Sequence, residues 1–252
     1  MSTLVVLLRK ELREQWRTLR LPIAVAVFFC LGVGSPLLAR YTPDIVRSLA
    51  SPDLARLVPE PRLADAIIQF VKNMGQIGAL MAIVLAMASV AAERERGTAA
   101  FVLSKSATRL QFLAAKLTAL AVTLAASVAV AGLVAYAYTA ALFTAPAPGF
   151  AVVCALTLVA LLVIATVTFT VSTVTGSTVA AGAAGFVALI ASGTLSIIPR
   201  VDPYTPFGMV ALAQPLAAGG PAGALAWPLA TQALLIGALF TVSLLVFRRQ
   251  EL

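Results

Sequence analysis

The sequence predicts an all-α integral membrane protein with six transmembrane helices. Of its 252 residues, 61% are hydrophobic and 11% are charged, whereas a soluble domain carries about 25% charged residues. Two long stretches, 117–199 and 203–247, contain no Asp, Glu, Lys or Arg, and one crossing takes roughly 20 apolar residues. Backbone in lipid must be helical or closed into a barrel, and the sequence lacks the alternation with period two that a barrel requires.

The first 20 residues predict an amphipathic helix on the membrane surface. Leu4, Leu8, Leu12 and Trp16 recur at steps of four, and arginines, among them Arg13, lie on the other side. An apolar face and a basic face are typical of interfacial helices, with Trp at the headgroups. The charges are interleaved with the apolar residues and no small-residue cleavage site follows, so we expect mature structure rather than a signal peptide.

The remaining chain is expected to form one transmembrane domain. Spans are predicted at residues 22–39, 70–92, 117–143, 150–174, 178–198 and 228–247, with connecting segments at 40–69, 93–116 and 199–227. Short surface helices are expected within 40–69. Residues 207–218 are apolar but too short to cross, so a re-entrant or interfacial helix is predicted there. At the start of the fifth span, Ser177, Ala181 and Gly185 recur every four residues, which favours close helix packing.

The distribution of basic residues predicts the orientation. Six spans put both termini on one side, and that side, with 93–116, carries 12 of the 18 Lys and Arg residues. Basic residues concentrate in cytoplasmic loops. We therefore expect a multi-pass protein of the cell (inner) membrane with cytoplasmic termini and 40–69 and 199–227 outside. The net charge of +8 flanks apolar runs rather than forming a soluble basic face, so nucleic acid is not an expected partner.

Several kinds of chemistry are disfavoured by the residues present. The chain has no His, and Cys30 and Cys154 both lie in apolar runs, so no metal site or catalytic residue is predicted. The predicted spans hold no charged relay of the kind that ion-coupled carriers use. No G-x-x-x-x-G-K-[ST] loop is present, so no cofactor is expected in this chain. The fourth span contains a series of hydroxyl residues expected to bond to helix carbonyls, namely Thr166, Thr168, Thr170, Ser172 and Thr173.

Segment 93–116 is polar and internally ordered. It begins with the alternating charges Glu93, Arg94, Glu95 and Arg96, and Gly97 fits the residue that ends a helix. Thr108 with Gln111 fits a T-x-x-Q capping box that starts the next helix. The alternative is that the basic residues here are only juxtamembrane anchors.

This segment carries a family resemblance. The run ERERGTAAFVLSKSATRLQFLAAKL, together with LLRKELREQWR at the start and FRRQEL at the end, resembles ABC-2 type transporter permeases, particularly those labelled as multi-copper enzyme maturation permeases. The family commonly has a proline where this chain has Ser106. The resemblance implies an N-terminal elbow helix, carrying Arg13 and Trp16, and a coupling helix between the second and third spans.

The resemblance also implies a function, partners and site residues. The chain would be the permease subunit of an ATP-driven exporter, not itself an enzyme, paired with a second permease chain and with two copies of a separate ATPase that bind ATP and Mg²⁺. Glu93, Glu95, Arg96, Gly97 and Thr98 would form the ATPase-coupling motif with Thr108 and Arg109, its charges contacting the ATPase. The alternative from another class is a scaffold or sensor that does not transport and anchors a cytoplasmic partner.

One further set of polar residues lies near the outer end of the second span. Gln69, Asn73 and Gln76 are spaced by four and three residues and share a helix face. They either line a transport pathway or lie at the headgroup level against the outer loop. The transported substrate does not follow from the sequence.

Overall fold

The computed structural model describes residues 3–49, 59–95, 97 and 108–249, and in these ranges the regular secondary structure is entirely helical. In chain order the helices are α1 (Thr3–Arg17), α2 (Arg20–Leu49), α3 (Leu63–Asn73), α4 (Ala79–Met87), α5 (Ala91–Glu95), α6 (Arg109–Leu142), α7 (Phe150–Thr175), α8 (Thr178–Leu195), α9 (Pro206–Ala213) and α10 (Ala226–Arg249). A π-helical turn, Met74–Gly78, joins α3 to α4, and 3₁₀ turns occupy Asp202–Tyr204 and Gln214–Ala218.

Six helical stretches in the described ranges are long and apolar enough to cross a membrane, as predicted. They are α2, the unit that runs from α3 through α4 to α5, and the helices α6, α7, α8 and α10. The protein is therefore a multi-pass, all-α membrane protein. The shorter apolar helix at Pro206–Ala218 corresponds to the predicted 207–218 segment. The α9 part of it is about 12 Å long, too short for a crossing.

Helix α7 lies at the centre of the bundle. In its most apolar stretch of 18 residues, 56% of the residues are buried, whereas the corresponding values are 17% for α8 and 11% for α10. Its Ala160, Leu161 and Ala165 belong to the main hydrophobic core. Helices α8 and α10 lie at the periphery with many large apolar side chains exposed, as suits residues that face lipid.

The small-residue face predicted for the fifth span is confirmed. Ala181 is fully buried, and a Cβ at Gly185 would collide with Thr168 of α7 and approach Ile83 of α4. Helix α8 therefore packs against two neighbours at a distance that only a glycine permits at this position.

The first helix extends beyond the predicted span. Helix α2 continues from residue 39 to Leu49 and contains Pro36 and Pro43. Pro36 lacks the amide that would donate to the Gly32 carbonyl, and a membrane helix tolerates such a site where neighbouring helices pack against it; Pro36 is buried. The prediction of short surface helices within 40–69 is wrong where the structure describes this segment. Residues 40–49 belong to the long helix α2, and residues 63–69 belong to α3.

Contacts between distant segments place α1 and the end of α10 at one end of the bundle. Lys116, in the third turn of α6, pairs with Glu11 of α1, and Arg109, the first residue of α6, contacts the last turn of α10. We call this the terminal end. At the opposite end, the amide of Ala147 in the α6–α7 connection donates to the Ala217 carbonyl at 2.8 Å.

Candidate functional site

Five charged residues meet at the terminal end, and we call them the charged cluster: Lys10, Glu11, Glu14, Glu93 and Lys116. The ammonium of Lys116 lies 2.9 Å from Glu93 Oε1 and 3.1 Å from Glu11 Oε2. The ammonium of Lys10 lies 3.2 Å from Glu93 Oε1, 3.1 Å from Glu11 Oε1 and 3.5 Å from Glu14. The cluster thus joins α1, α5 and α6 through residues far apart in the sequence.

The centre of the cluster is removed from solvent, whereas the side chains of Lys10 and Glu14 at its edge are 42% and 39% exposed. The side chain of Lys116 is 4% exposed, and those of Glu11 and Glu93 are 11% and 12% exposed. Buried ions are costly unless they are paired. Replacing either Lys116 or one of its carboxylate partners by a neutral residue would therefore leave an uncompensated charge inside the protein.

Lys10 stays protonated in this setting. Burial by itself lowers its pKa, but the carboxylates of Glu11 and Glu93 together outweigh that effect, so the pKa of Lys10 lies above its ordinary value. The Lys10 ammonium therefore remains positive at physiological pH. Glu11, Glu14 and Glu93 present carboxylate oxygens within 4.8 Å of one another, but the two lysines already compensate them, so the donor set does not favour a metal ion.

Neither Glu11 nor Lys116 was singled out as a paired residue from the sequence. Glu11 lies between Lys10 and Leu12 on an apparently simple amphipathic helix, and 105 positions separate it from Lys116. The available signal was an acidic residue on the face that α1 turns toward α6. On the other faces of α1, Arg13 is exposed and Trp16 is 63% exposed.

Glu95 and Arg94, next to Glu93, contact two further helices. The Glu95 carboxylate accepts a hydrogen bond from the Thr178 amide at 3.3 Å, in the first turn of α8. A carboxylate there is also stabilised by the helix dipole. The Arg94 guanidinium donates to the Thr173 carbonyl at 3.0 Å, in the last turn of α7.

A break in the second membrane unit positions these three residues. Between α4 and α5, the Ser172 hydroxyl of α7 donates to the Met87 carbonyl at 2.9 Å and accepts from the Ala91 amide at 3.0 Å. Backbone groups freed by the turn are thereby satisfied inside the bundle. Thr166, Thr168, Thr170 and Thr173 bond to carbonyls four residues earlier, as predicted.

Gly97 ends this segment in the conformation expected of a C-terminal glycine. Its φ is +69°, a region that L-residues with a Cβ rarely adopt, and its amide donates to the Arg94 carbonyl at 3.0 Å. Among the described residues, no atom lies within 4 Å of the position that a Cβ would take at Gly97. Arg96 and Thr98 of the predicted motif lie outside the described residues.

The restart of the helix at Thr108 is confirmed as a capping box. The Thr108 hydroxyl accepts from the Gln111 amide at 3.2 Å, and the Gln111 side chain accepts from the Thr108 amide at 3.0 Å. The next residue, Arg109, donates to the carbonyls of Phe247 and Arg248 at 2.6 and 2.5 Å. Arg109 therefore caps the C-terminal end of α10, where a cation is favoured.

The three polar residues of the second span have different environments. Gln69 donates to Asn73 at 3.1 Å, and Asn73, which is buried, donates to Ser35 of α2 at 2.8 Å. These two therefore help to hold α3 against α2. Gln76 lies in the π-helical turn and lines a separate groove between α3, α4 and α8.

Comparison with known proteins places the chain in a family. The profile of DUF2705, described as a protein of unknown function, matches residues 57–252, which is more than half of the chain. The chain belongs to the DUF2705 family. This DUF2705 protein is also 27% identical over 121 residues to the uncharacterized transmembrane protein YxlG of Bacillus subtilis (strain 168). That match covers 46% of each chain, so the DUF2705 protein spans about half the length of this relative.

Proposed function

We propose that this protein is the membrane-spanning permease subunit of an ATP-binding cassette exporter. A separate ATPase subunit docks on the cytoplasmic side against segment 93–116, and two permease chains assemble with two ATPase subunits. ATP and Mg²⁺ bind to the ATPase. The ABC-2 resemblance of residues 93–117 suggests this class.

The observation that supports the proposal best is the triple attachment of α5. Its consecutive charges contact different elements: Glu93 the helices α1 and α6, Arg94 the end of α7, and Glu95 the start of α8. A displacement imposed on the chain beyond Gly97 would therefore reach four helices at once. Transmission of this kind requires packed elements that move as rigid bodies.

The geometry refines the role of Glu93 within this proposal. Its carboxylate pairs with Lys10 and Lys116 inside the protein, so its part is to anchor α5 rather than to contact the ATPase. Arg9, Arg13 and Arg17 are exposed on α1. Their guanidinium groups remain available for charge-assisted hydrogen bonds to a partner.

Stoichiometric purification from native membranes tests the proposal. An affinity-tagged chain, extracted with a mild detergent, is expected to bring down an ABC-type ATPase in equal amount, with two copies of each subunit. Replacing residues 99–104 by a Gly/Ser linker should abolish the association. The same replacement at residues 219–224, at the opposite end, is the matched control and should leave it intact.

Purification of the chain as a monomer without an ATP-binding subunit would contradict the proposal. Recovery of a different soluble protein that depends on residues 99–104 would favour the scaffold or sensor instead.

A further inference from the structure

A membrane-facing groove of about 620 Å³ lies toward the opposite end of the bundle. Its walls are α3, α4 and the π-helical turn on one side and α8 on the other. Phe207 of α9 and Gln214 of the following 3₁₀ turn complete it. Ligand sites in proteins commonly have volumes of about 300–1,000 Å³. The groove is therefore large enough for one extended hydrocarbon chain with its polar head.

The polarity of the groove decreases along its length, although apolar Ile68 and Val71 also line it beside Lys72. Lys72 and Ser196 line it near the end of the bundle, whereas Leu80, Phe186 and Leu189 line it closer to the middle. Lys72 and Leu80 are eight residues apart on nearly continuous helix, which corresponds to about 12 Å. The gradient runs along the membrane normal, as in a lipid molecule with its headgroup at the surface.

Three polar side chains of the groove, those of Lys72, Gln76 and Gln214, have unused hydrogen-bonding capacity, whereas the Ser196 hydroxyl bonds to the Ser192 carbonyl and to Thr205. Within the described ranges, no carboxylate pairs with Lys72, and the side chains of Gln76 and Gln214 make no hydrogen bond to the protein. Lys72 is exposed, and a lysine near the end of a membrane helix extends its ammonium toward the headgroups. An anionic headgroup would supply the missing charge, and the two amides would offer it further donors.

Backbone features keep the groove open. The π-helical turn Met74–Gly78 widens the helix where Gly75 and Gln76 face the groove, and π-helical turns occur frequently at functional sites. On the facing helix, Gly193 has open space where a Cβ would point. Because Gly193 lines the groove, a large side chain at this position would occupy part of its volume.

We propose that this groove binds one anionic phospholipid from the bilayer. Its phosphate pairs with Lys72, and one acyl chain lies against Leu80, Phe186 and Leu189. The inference does not rest on the proposed transport function, because it concerns a site formed within a single chain.

Photocrosslinking in lipid nanodiscs tests the inference. The full chain is reconstituted in phosphatidylcholine containing a small fraction of phosphatidylglycerol with a diazirine in its acyl chain, and the adducts are mapped by mass spectrometry. We expect adducts at Leu80, Phe186 and Leu189, competed by unlabelled phosphatidylglycerol and not by phosphatidylcholine. Lys72→Gln should reduce the yield about five- to tenfold, the weight of one surface charge toward an anionic lipid.

Two matched pairs make the result specific. Arg200→Gln removes a cation at the same end but outside the groove and should leave the adducts unchanged. Gly193→Phe should abolish them, whereas Gly237→Phe, on lipid-facing α10 where a Cβ also meets no atom, should not. Adducts spread evenly over lipid-facing residues, equal competition by both lipids, or a second protein chain crosslinked into the groove would each overturn the proposal.

Discussion

Lys116 is the residue whose environment differs most from what its position suggests. It follows a polar loop and precedes an apolar span, where lysines usually anchor a helix at the headgroups. Instead its ammonium is buried between Glu11 and Glu93 and lies 5.0 Å from the centre of the Phe112 ring. Phe112 stacks on Phe247 of α10 at 5.7 Å, so Lys116 connects the charged cluster to the last helix.

Replacing Lys116 by methionine should be strongly destabilising. The change leaves two carboxylates with only Lys10, and loss of one partner from a buried ion pair costs about 3–5 kcal/mol. The free energy of unfolding in mixed micelles measures this loss. Arg40→Met, which breaks an exposed pair with Asp44, should cost less than about 1 kcal/mol.

A double variant separates charge balance from packing. Lys116→Met with Glu11→Leu keeps Glu93 paired with Lys10 and should recover part of the lost stability, because apolar groups can replace a buried ion pair. No recovery would show that the cluster is not an electrostatic unit.

Gly97 provides a residue-scale test of coupling. Asparagine tolerates positive φ better than most residues, whereas valine at φ +69° is strained by more than the 1–2 kcal/mol of an ordinary residue. With the ATPase present, Gly97→Asn should keep the ATPase rate of the complex. Gly97→Val should insert normally but lower that rate at least tenfold. Equal rates for the two variants would remove Gly97 from the coupling path.

At the residue scale, the sequence predicted interactions between neighbouring residues but not those between residues far apart in the chain. The Thr108 and Gln111 capping box and the Gly97 turn follow from residues within a few positions of one another, because caps are formed by local hydrogen bonds. The pairing of Glu11 with Lys116 depends on how α1 docks on α6. No local pattern in a single sequence predicts such a contact between residues that are far apart in the chain.

At the scale of elements, α5 is a short helix defined mainly by what it contacts. A helix of five residues, Ala91–Glu95, is far below the length that is stable alone. Ser172 holds its first turn, and the three charges hold its last. The position of α5 therefore depends on its contacts with α7 and α8 as well as on its connection to α4.

Removing the Ser172 hydroxyl should loosen this element. Ser172→Ala leaves the Ala91 amide and the Met87 carbonyl without their side-chain partner, at a cost of about 1–3 kcal/mol. Amide hydrogen exchange at residues 88–95 should accelerate. Thr241→Ala, which removes an exposed hydroxyl bonded only to its own helix, should leave exchange unchanged, and equal protection in both variants would contradict the role of Ser172.

Element positions were predictable because lipid imposes them. Backbone must be satisfied within each span, so long apolar runs identified all six. The residues at which the helices begin and end were less predictable, because a helix can extend beyond its apolar run where caps and side-chain contacts stabilise it. Helix α2 passes two prolines, and α6 begins at Arg109, eight residues before the predicted span, because its cap lies outside the apolar run.

At the scale of the whole molecule, the shared terminal end makes the predicted topology testable. In a Cys30→Ala/Cys154→Ala background, single cysteines at Arg9 and Arg249 should react with an impermeant maleimide only after cells are permeabilised. Cysteines at Thr144 and Arg200 should react in intact cells. If the cysteine at position 249 reacts in intact cells while the cysteine at position 9 does not, the chain crosses the membrane an odd number of times.

The central claim is that a separate ATPase acts on this protein through the segment between α5 and α6. Site-specific photocrosslinking in native membranes tests it most directly, with the photoreactive residue at Lys105 and, as a control, at Tyr204 on the opposite end. We expect an ABC-type ATPase to be crosslinked from position 105 and not from position 204. Absence of an ATP-binding protein at position 105, or equal crosslinking from both positions, would contradict it.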